Sequence, residues 1–122
     1  MKATANNGHA LEERRKHARK KVSLPAFIVV TGSSFVHPVT IQDVSSHGVK
    51  ILAPKNSGLE TEHFDPLAAL TVLISLPQER APLAMRCRSC RLRNGEDAIE
   101  VGAFFTDSDY ASFDKLQHFL LH

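Results

Sequence analysis

The distribution of apolar and polar residues predicts a series of short β-strands followed by one helix. Six segments rich in β-branched and aromatic residues are separated by clusters of Gly, Pro, Asn, Asp and Ser, a composition typical of strands joined by turns. The six predicted strands are 22–30, 35–44, 49–53, 68–76, 83–93 and 98–105. Six strands at this close spacing favour an antiparallel sandwich or barrel.

Turn-forming residues indicate where the predicted strands are joined by hairpins. Residues 45–48, Ser-Ser-His-Gly, predict a tight hairpin, and Asn94-Gly95 predicts another because both residue types tolerate a positive φ. Pro25 lies inside the first strand and suggests an edge strand or a bulge, since proline cannot donate a ladder hydrogen bond.

The period of the apolar residues changes near the C-terminus. They recur there every three or four positions, behind acidic residues that can cap a helix, and include Tyr110, Phe113, Leu116 and Leu120. We therefore predict an amphipathic helix over 107–122 that covers one end or side of the barrel.

Positive charge is concentrated at the N-terminus. Residues 1–21 contain seven of the 15 Lys and Arg and two of the 13 acidic residues, for a net charge of +5, whereas residues 22–122 carry −3. Residues 1–12 lack apolar periodicity and are expected to be a flexible tail, followed by a basic arm over 13–21. Such an arm commonly contacts phosphates in nucleic acid, lipid headgroups or nucleotides. A tail that only increases solubility is the alternative.

A length of 122 residues predicts one domain. The sequence has no apolar run long enough to span a membrane and no signal peptide, so membrane insertion is not expected. With two cysteines and no sign of secretion, reduced thiols and a cytoplasmic location are expected.

Several other candidate sites are weighed and rejected. Cys87 and Cys90 are three apart on a predicted strand, where they face opposite sides and suit a zinc site poorly. His118 and His122 are more readily explained as surface residues. The sequence also lacks the nucleophile, zinc-protease and phosphate-loop motifs, so we expect no enzyme activity, no metal and no cofactor.

The strand 83–93 carries four arginines, Arg86, Arg88, Arg91 and Arg93. They could extend a contact surface for phosphate or protein. Ordinary solvent-facing positions are the favoured interpretation.

The second predicted hairpin strand leads into Asp43, Ser45 and Gly48, which suit the recognition of a guanine base. A carboxylate accepts hydrogen bonds from the N1 and N2 donors of guanine, and Ser45 adds a hydroxyl two residues on. Gly48 would permit a positive φ and the close approach of a ring or phosphate. The alternative is a hairpin corner in which the polar side chains only cap the turn.

The basic arm offers complementary chemistry. Arginine makes bidentate contacts with phosphate and with the O6/N7 edge of guanine, and it stacks on purines. Arg15 and Arg19, four residues apart, would share a face if the arm were helical. Two such arginines could hold a compact ligand that contains both phosphate and base.

Taken together, these segments resemble the PilZ domain family over residues 13–121. The resemblance rests on Arg-x-x-x-Arg at Arg15 and Arg19 and on Asp-x-Ser-x-x-Gly at Asp43, Ser45 and Gly48. The segment 99–105 is also similar to the last strand of that family, in which a glycine precedes an apolar-aromatic pair.

The resemblance implies a bacterial receptor for cyclic di-GMP, built as a six-stranded antiparallel β-barrel with a C-terminal α-helix. It implies that the arginines bind phosphates and guanine edges while the Asp/Ser/Gly turn binds the other face of the ligand. Arg14, in a place where family members with arginine bind an intercalated ligand dimer, is implied to hold a second copy.

The expected mechanism is a switch in which cyclic di-GMP orders the arm onto the barrel, 22–105, and changes the surface offered to an effector protein. The sequence does not identify that effector. The alternative is a small β-barrel that binds RNA or single-stranded DNA through the arm. It is disfavoured because such modules usually expose aromatic residues for base stacking, whereas this chain has seven Phe and one Tyr placed mostly where a core needs them.

Overall fold

Alternation of apolar and polar residues along six strands produces a closed barrel. The computed structural model describes residues 19–64, 69–107 and 109–122. Its strands are β1 (Arg19–Val30), β2 (His37–Ser45), β3 (Gly48–Pro54), β4 (Ala69–Ile74), β5 (Leu83–Asn94) and β6 (Ala98–Asp107), followed by the helix α1 (Tyr110–Leu121). All neighbouring strands are antiparallel, in the order β1-β2-β3-β6-β5-β4, and β4 pairs with β1 to close the barrel. The predicted six-stranded antiparallel barrel with a C-terminal helix is confirmed.

The core lies inside the barrel because every second residue of a strand points inward. Its fully buried side chains come from all six strands and include Ile28, Ile41, Ile51, Val72, Met85 and Val101. Phe64, on a short 3-10 helix (Thr61–Phe64) between β3 and β4, is buried in the same cluster. A second short 3-10 helix (Lys55–Ser57) follows β3 directly.

The first strand begins earlier than the sequence predicted. β1 starts at Arg19, and residues 19–21 pair with β2, with Arg19 opposite Ser45 and Lys21 opposite Asp43. Lys20 also lies over the Phe119 ring of the helix, with Nζ 4.5 Å from the ring centroid. The last three residues of the predicted arm therefore belong to the barrel, while the predicted tail 1–12 and residues 13–18 of the arm lie outside the described residues.

Pro25 is accommodated at an irregularity rather than at an edge. β1 pairs on both sides, and its register with β2 shifts between Lys21 and Leu24, just before the proline. The carbonyl of Pro25 still accepts a hydrogen bond from the Ser75 backbone N–H at 3.1 Å. The irregularity therefore lies just before Pro25, which itself pairs with Thr40, and β1 is not an edge strand of the closed barrel.

The β5–β6 hairpin forms where it was predicted, although its corner lies two residues later. The Gly95 N–H donates to the Ala98 carbonyl at 3.0 Å, so Glu96 and Asp97 occupy the corner. Gly95 does not adopt a positive φ. The expectation that Asn94-Gly95 itself supplies a left-handed turn is therefore wrong.

The helix starts three residues later than predicted and buries only part of its apolar stripe. Asp107 ends β6, and Asp109 caps the helix by accepting a hydrogen bond from the Ser112 N–H at 2.7 Å, which lowers the pKa of the Asp109 carboxyl. Leu116 and Leu120 are buried in the core cluster, whereas Tyr110 is exposed. No helix within the described residues is long and apolar enough to span a membrane.

We expect Ile51→Ala to lower the free energy of unfolding by about 2–5 kcal/mol, because the truncation leaves a cavity at a fully buried position. Urea denaturation followed by circular dichroism measures this change. Leu121→Ala, at an exposed helix position, is the control and should unfold close to the parent. Equal midpoints for the two variants would contradict the assignment of Ile51 to the core.

Candidate functional site

A cleft of about 530 Å³ lies on the outer surface of the barrel and is lined by residues from five strands. One wall comes from β1 and β2, the other from β5, and β3 and β6 form the floor between them. Its charged side chains are Arg19, Asp43, Lys50, Arg91, Arg93 and Glu100. These four cations and two carboxylates give the lining a net charge of +2 from its Lys, Arg, Asp and Glu side chains.

Arg19 and Asp43, both predicted site residues, lie together on one wall of the cleft. Arg19 Nη1 lies 3.7 Å from Asp43 Oδ2, and the two side chains are 67% and 19% exposed. A solvent-accessible ion pair of this kind contributes about 0–1 kcal/mol to stability. Because breaking the ion pair costs so little free energy, each group can leave its partner and bind a ligand instead.

A register shift turns Asp43 toward the cleft. On β2 the buried residues are Val39 and Ile41 and then Val44, so the alternation changes parity at Gln42. The β2–β3 register shifts at the same place, with Ile41 opposite Ile51 and Asp43 opposite Lys50. A β-bulge of this kind re-aims the residues that follow it. Without it, Asp43 would point into the apolar core.

Ser45 holds the corner between β2 and β3 together. Its Oγ accepts hydrogen bonds from the backbone N–H groups of His47 (3.1 Å) and Gly48 (3.2 Å) and donates to the Gly48 carbonyl at 3.4 Å. The Ser45 side chain is buried, whereas His47 in the turn is exposed. The hydroxyl therefore has a turn-capping role in this structure, which was the alternative considered from the sequence.

Gly48 is required for a different reason from the expected one. It does not adopt a positive φ. Instead, a Cβ at this position would lie 2.1 Å from the Ala103 carbonyl oxygen, so no other residue fits without moving the β6 backbone. The His47 carbonyl also accepts the Phe105 N–H at 2.7 Å, which fixes the corner to β6.

Gly48 and Gly102 together give the cleft a floor of bare backbone. Gly102 lies opposite Lys50, two pairs along the β3–β6 ladder from the pair between Gly48 and Phe104. A Cβ on Gly102 would lie 3.3 Å from the Cβ of Arg91. The half-exposed Phe104 ring lines the cleft beside this floor.

The opposite wall and the adjoining floor contain charged residues that were not predicted as part of the site. The Glu100 carboxylate contacts Lys50 Nζ at 3.5 Å and Arg93 Nη1 at 3.2 Å, and Arg91 lines the cleft beside them. The spacing of the four β5 arginines in the sequence could have revealed the geometry of this wall. Arg86 and Arg88 are two apart, whereas Arg91 follows Arg88 by three, and this change of parity marks a bulge.

The structure contains that bulge at Cys90. Ser89 lies opposite Ala103 and Arg91 opposite Gly102, so two β5 residues correspond to one on β6. Before the bulge the odd-numbered residues Met85 and Cys87 are buried, and after it the odd-numbered Arg91 and Arg93 are exposed. The cleft is therefore bordered by one bulge on each wall.

The two cysteines face opposite sides, as predicted. Cys87 is buried, and its burial raises the pKa of the thiol to about 12, with a smaller contribution from Cys90. Cys90 is exposed in the cleft wall, where its Sγ donates to the Gly102 carbonyl at 3.4 Å. His118 and His122 stack on each other at the surface, with ring centroids 4.2 Å apart. Within residues 19–64, 69–107 and 109–122, no group of three potential ligands could hold a metal ion.

A comparison with protein-family models identifies the family of this barrel. The model of the PilZ domain matches residues 13–122, which is most of the chain. The chain belongs to the PilZ domain family. A comparison with curated proteins gave no match.

Solved structures show the same PilZ fold at low sequence identity. The Bacillus subtilis inhibitor of motility MotI/DgrA superposes with a TM-score of 0.70 at 16% identity, covering 88% of this chain and 50% of that one. The PilZ domain of CeSA from a cellulose-synthesizing bacterium gives 0.62 at 18%, covering 85% and 98%. The PilZ domain of Escherichia coli YcgR, solved with c-di-GMP, gives 0.64 at 11%, covering 88% and 89%.

These structures establish the shared fold and nothing finer, because their identities are so low. The chain spans about half the length of the MotI/DgrA chain and nearly all of the isolated PilZ domains of CeSA and YcgR.

Four of the six predicted site residues line the cleft of this PilZ domain, namely Arg19, Asp43, Ser45 and Gly48. Arg14 and Arg15 lie outside the described residues. Lys50, Arg91, Arg93 and Glu100 are the charged lining residues that the sequence interpretation did not include in the site.

We expect Gly48→Ala to lower the free energy of unfolding of the PilZ barrel by about 1–3 kcal/mol. The added methyl group would overlap a backbone carbonyl that is fixed in the β3–β6 ladder. Gly102→Ala is the matched control, since its methyl group would meet only the Arg91 side chain at 3.3 Å. Urea denaturation of both variants measures the difference. A smaller loss for Gly48→Ala than for Gly102→Ala would show that the corner does not depend on this close approach.

Proposed function

We propose that this PilZ domain is a cyclic di-GMP receptor that acts as an adaptor for an effector protein. The observation that carries the proposal is the Arg19–Asp43 pair, which borders a cationic cleft with a bare glycine floor. The family match supports it, as do the complexes of c-di-GMP with the Escherichia coli YcgR PilZ domain and with Borreliella burgdorferi PlzA.

The wall chemistry suits a guanine nucleotide. Asp43 presents an accessible carboxylate that can accept hydrogen bonds from guanine N1 and N2, and Arg19 can donate to a phosphate or to the O6/N7 edge. The Arg19–Asp43 ion pair would open when the base arrives. The net positive charge of the lining attracts the two phosphodiester groups of the ligand.

Ser45 and Gly48 contribute through the shape of the corner. The Ser45 hydroxyl holds the turn, and Gly48, which has no side chain, brings the hairpin against β6. A flat base or a phosphate can then approach the backbone at van der Waals distance.

Arg14 and Arg15 would complete the site from the arm. Four residues of extended chain span at most about 14 Å, so Arg15 stays within reach of a ligand that contacts Arg19 on β1. Arg15 would bind phosphate together with Arg19, and Arg14 would contact the second copy of an intercalated dimer.

Ligand binding would then act as a switch. An arm drawn across the cleft changes the surface beside it, and a partner that recognises only the combined surface of arm and barrel would bind in a ligand-dependent way. Control of motility, exopolysaccharide synthesis or virulence would follow from the identity of that partner.

We expect the parent chain to bind cyclic di-GMP in isothermal titration calorimetry and Arg19→Ala to bind at least about tenfold more weakly, since a charge-assisted hydrogen bond contributes roughly 1.5–3 kcal/mol. Asp43→Asn should also weaken binding, because an amide nitrogen cannot accept the guanine protons. Arg86→Ala removes an arginine from a comparable surface ion pair, 3.6 Å from Asp107, that lies outside the cleft, and should bind like the parent. Binding of an oligonucleotide but not of cyclic di-GMP would instead favour the single-strand-binding alternative.

The switch itself predicts a change in amide hydrogen exchange. We expect exchange in residues 13–18 to slow when cyclic di-GMP is added, because the arm gains contacts with the ligand, while β6 remains protected throughout. Hydrogen exchange with mass spectrometry measures both segments. Unchanged exchange in the arm at saturating ligand would rule out the switch without ruling out binding.

A further inference from the structure

A row of cross-strand neighbours passes beneath the cleft and leaves a gap between two cations. Arg91 on β5 lies opposite Gly102 on β6, which lies opposite Lys50 on β3, which in turn lies opposite Asp43 on β2. Neighbouring strands are about 4.8 Å apart, so the backbones of Arg91 and Lys50 are roughly 10 Å apart with no side chain between them. That opening is wide enough for an anion to contact both.

One carboxylate is shared by two cations on this side of the cleft. Glu100 Oε1 lies 3.5 Å from Lys50 Nζ, and Glu100 Oε2 lies 3.2 Å from Arg93 Nη1. Among the described residues, no carboxylate forms an ion pair with Arg91. This side of the cleft, wall and floor together, therefore carries three cations against one carboxylate.

Arg86, on the same strand but outside the cleft, provides a comparison for these arginines. It is as exposed as Arg93 and has its own carboxylate, Asp107, at 3.6 Å outside the cleft. The second wall differs because its positive charge is not balanced and converges on the glycine floor.

We propose that Lys50, Arg91 and Arg93 form a second anion subsite of the cleft, which binds a phosphodiester group of the ligand, and that Glu100 is its counter-ion in the free protein. This inference rests on the proposed function, since it takes cyclic di-GMP as the ligand. A cyclic dinucleotide carries two phosphodiesters, and the two walls flank one floor, so a single ligand can contact Arg19 on one side and this subsite on the other.

Glu100 has a defined part in this arrangement. A phosphate that enters the gap takes over the ion pairs that Lys50 and Arg93 make with Glu100 and also meets Arg91. The carboxylate therefore competes with the ligand and lowers its affinity. Removal of the carboxylate and removal of either cation should therefore change the affinity in opposite directions.

The test is calorimetric titration of the full chain with cyclic di-GMP. Arg91→Gln and Arg93→Gln should each bind roughly tenfold more weakly, as expected for the loss of one charge-assisted contact. Glu100→Gln, which keeps the size of the side chain and removes its charge, should bind about two- to fivefold more tightly. In a Lys50→Gln/Arg93→Gln background, Glu100→Gln should give no such gain, because the competing pairs are already absent.

Arg86→Gln is the control for overall charge. It removes one positive charge from the same strand outside the cleft and should bind like the parent, and thermal unfolding midpoints close to that of the parent show that each variant is folded. Arg91→Gln and Arg93→Gln affinities equal to that of Arg86→Gln would overturn the subsite, as would weaker binding by Glu100→Gln. Failure of the parent to bind cyclic di-GMP would overturn the proposed function and the subsite together. Binding that depends on Arg19 but not on Arg91 or Arg93 would overturn the subsite alone.

Discussion

The close approach of the β2–β3 corner to β6 determines the geometry of the cleft. At Gly48 the two strands are so near that a Cβ would lie 2.1 Å from the Ala103 carbonyl, and the His47 carbonyl accepts the Phe105 N–H at 2.7 Å. These contacts fix the β3–β6 register. Because side chains alternate with a period of two, a slip of one strand by one residue would turn its charged residue, Lys50 on β3 or Glu100 on β6, from the cleft toward the core.

The barrel and the cleft are stabilised by different kinds of interaction. Fully buried apolar side chains such as Ile51 and Val101 stabilise the barrel, and their removal is costly. The charged groups of the cleft are instead held by exposed ion pairs of small individual energy, Arg19 with Asp43 and Glu100 with Lys50 and Arg93. A rigid support with weakly paired charges suits a receptor, since a ligand can replace those pairs without disturbing the fold.

Local patterns in the sequence predicted most of the fold. The β-branched segments gave all six strands to within a few residues, and the Asp43-to-Gly48 stretch correctly marked a hairpin corner beside the candidate site. The start of β1 was placed three residues late because residues 19–21 are basic and lack strand composition. They extend β1 because they pair with the end of β2 and because Lys20 contacts Phe119 of the helix. Neither partner is local in sequence.

Only part of the site was predicted, because some of its contacts also join residues that are far apart in the sequence. Residue type alone identified Asp43 and Arg19 as groups that can bind base and phosphate. The direction in which Asp43 points, and the presence of Arg91 and Arg93 across the cleft from it, depend on bulges at Gln42 and Cys90 that reverse the alternation of each strand. The sequence by itself determined the strands, the turn and the chemistry of the motif residues, because these follow from local propensity. Only the tertiary structure decided which face each charge occupies and which strands share the floor, because strand register is set by contacts between residues far apart in the chain.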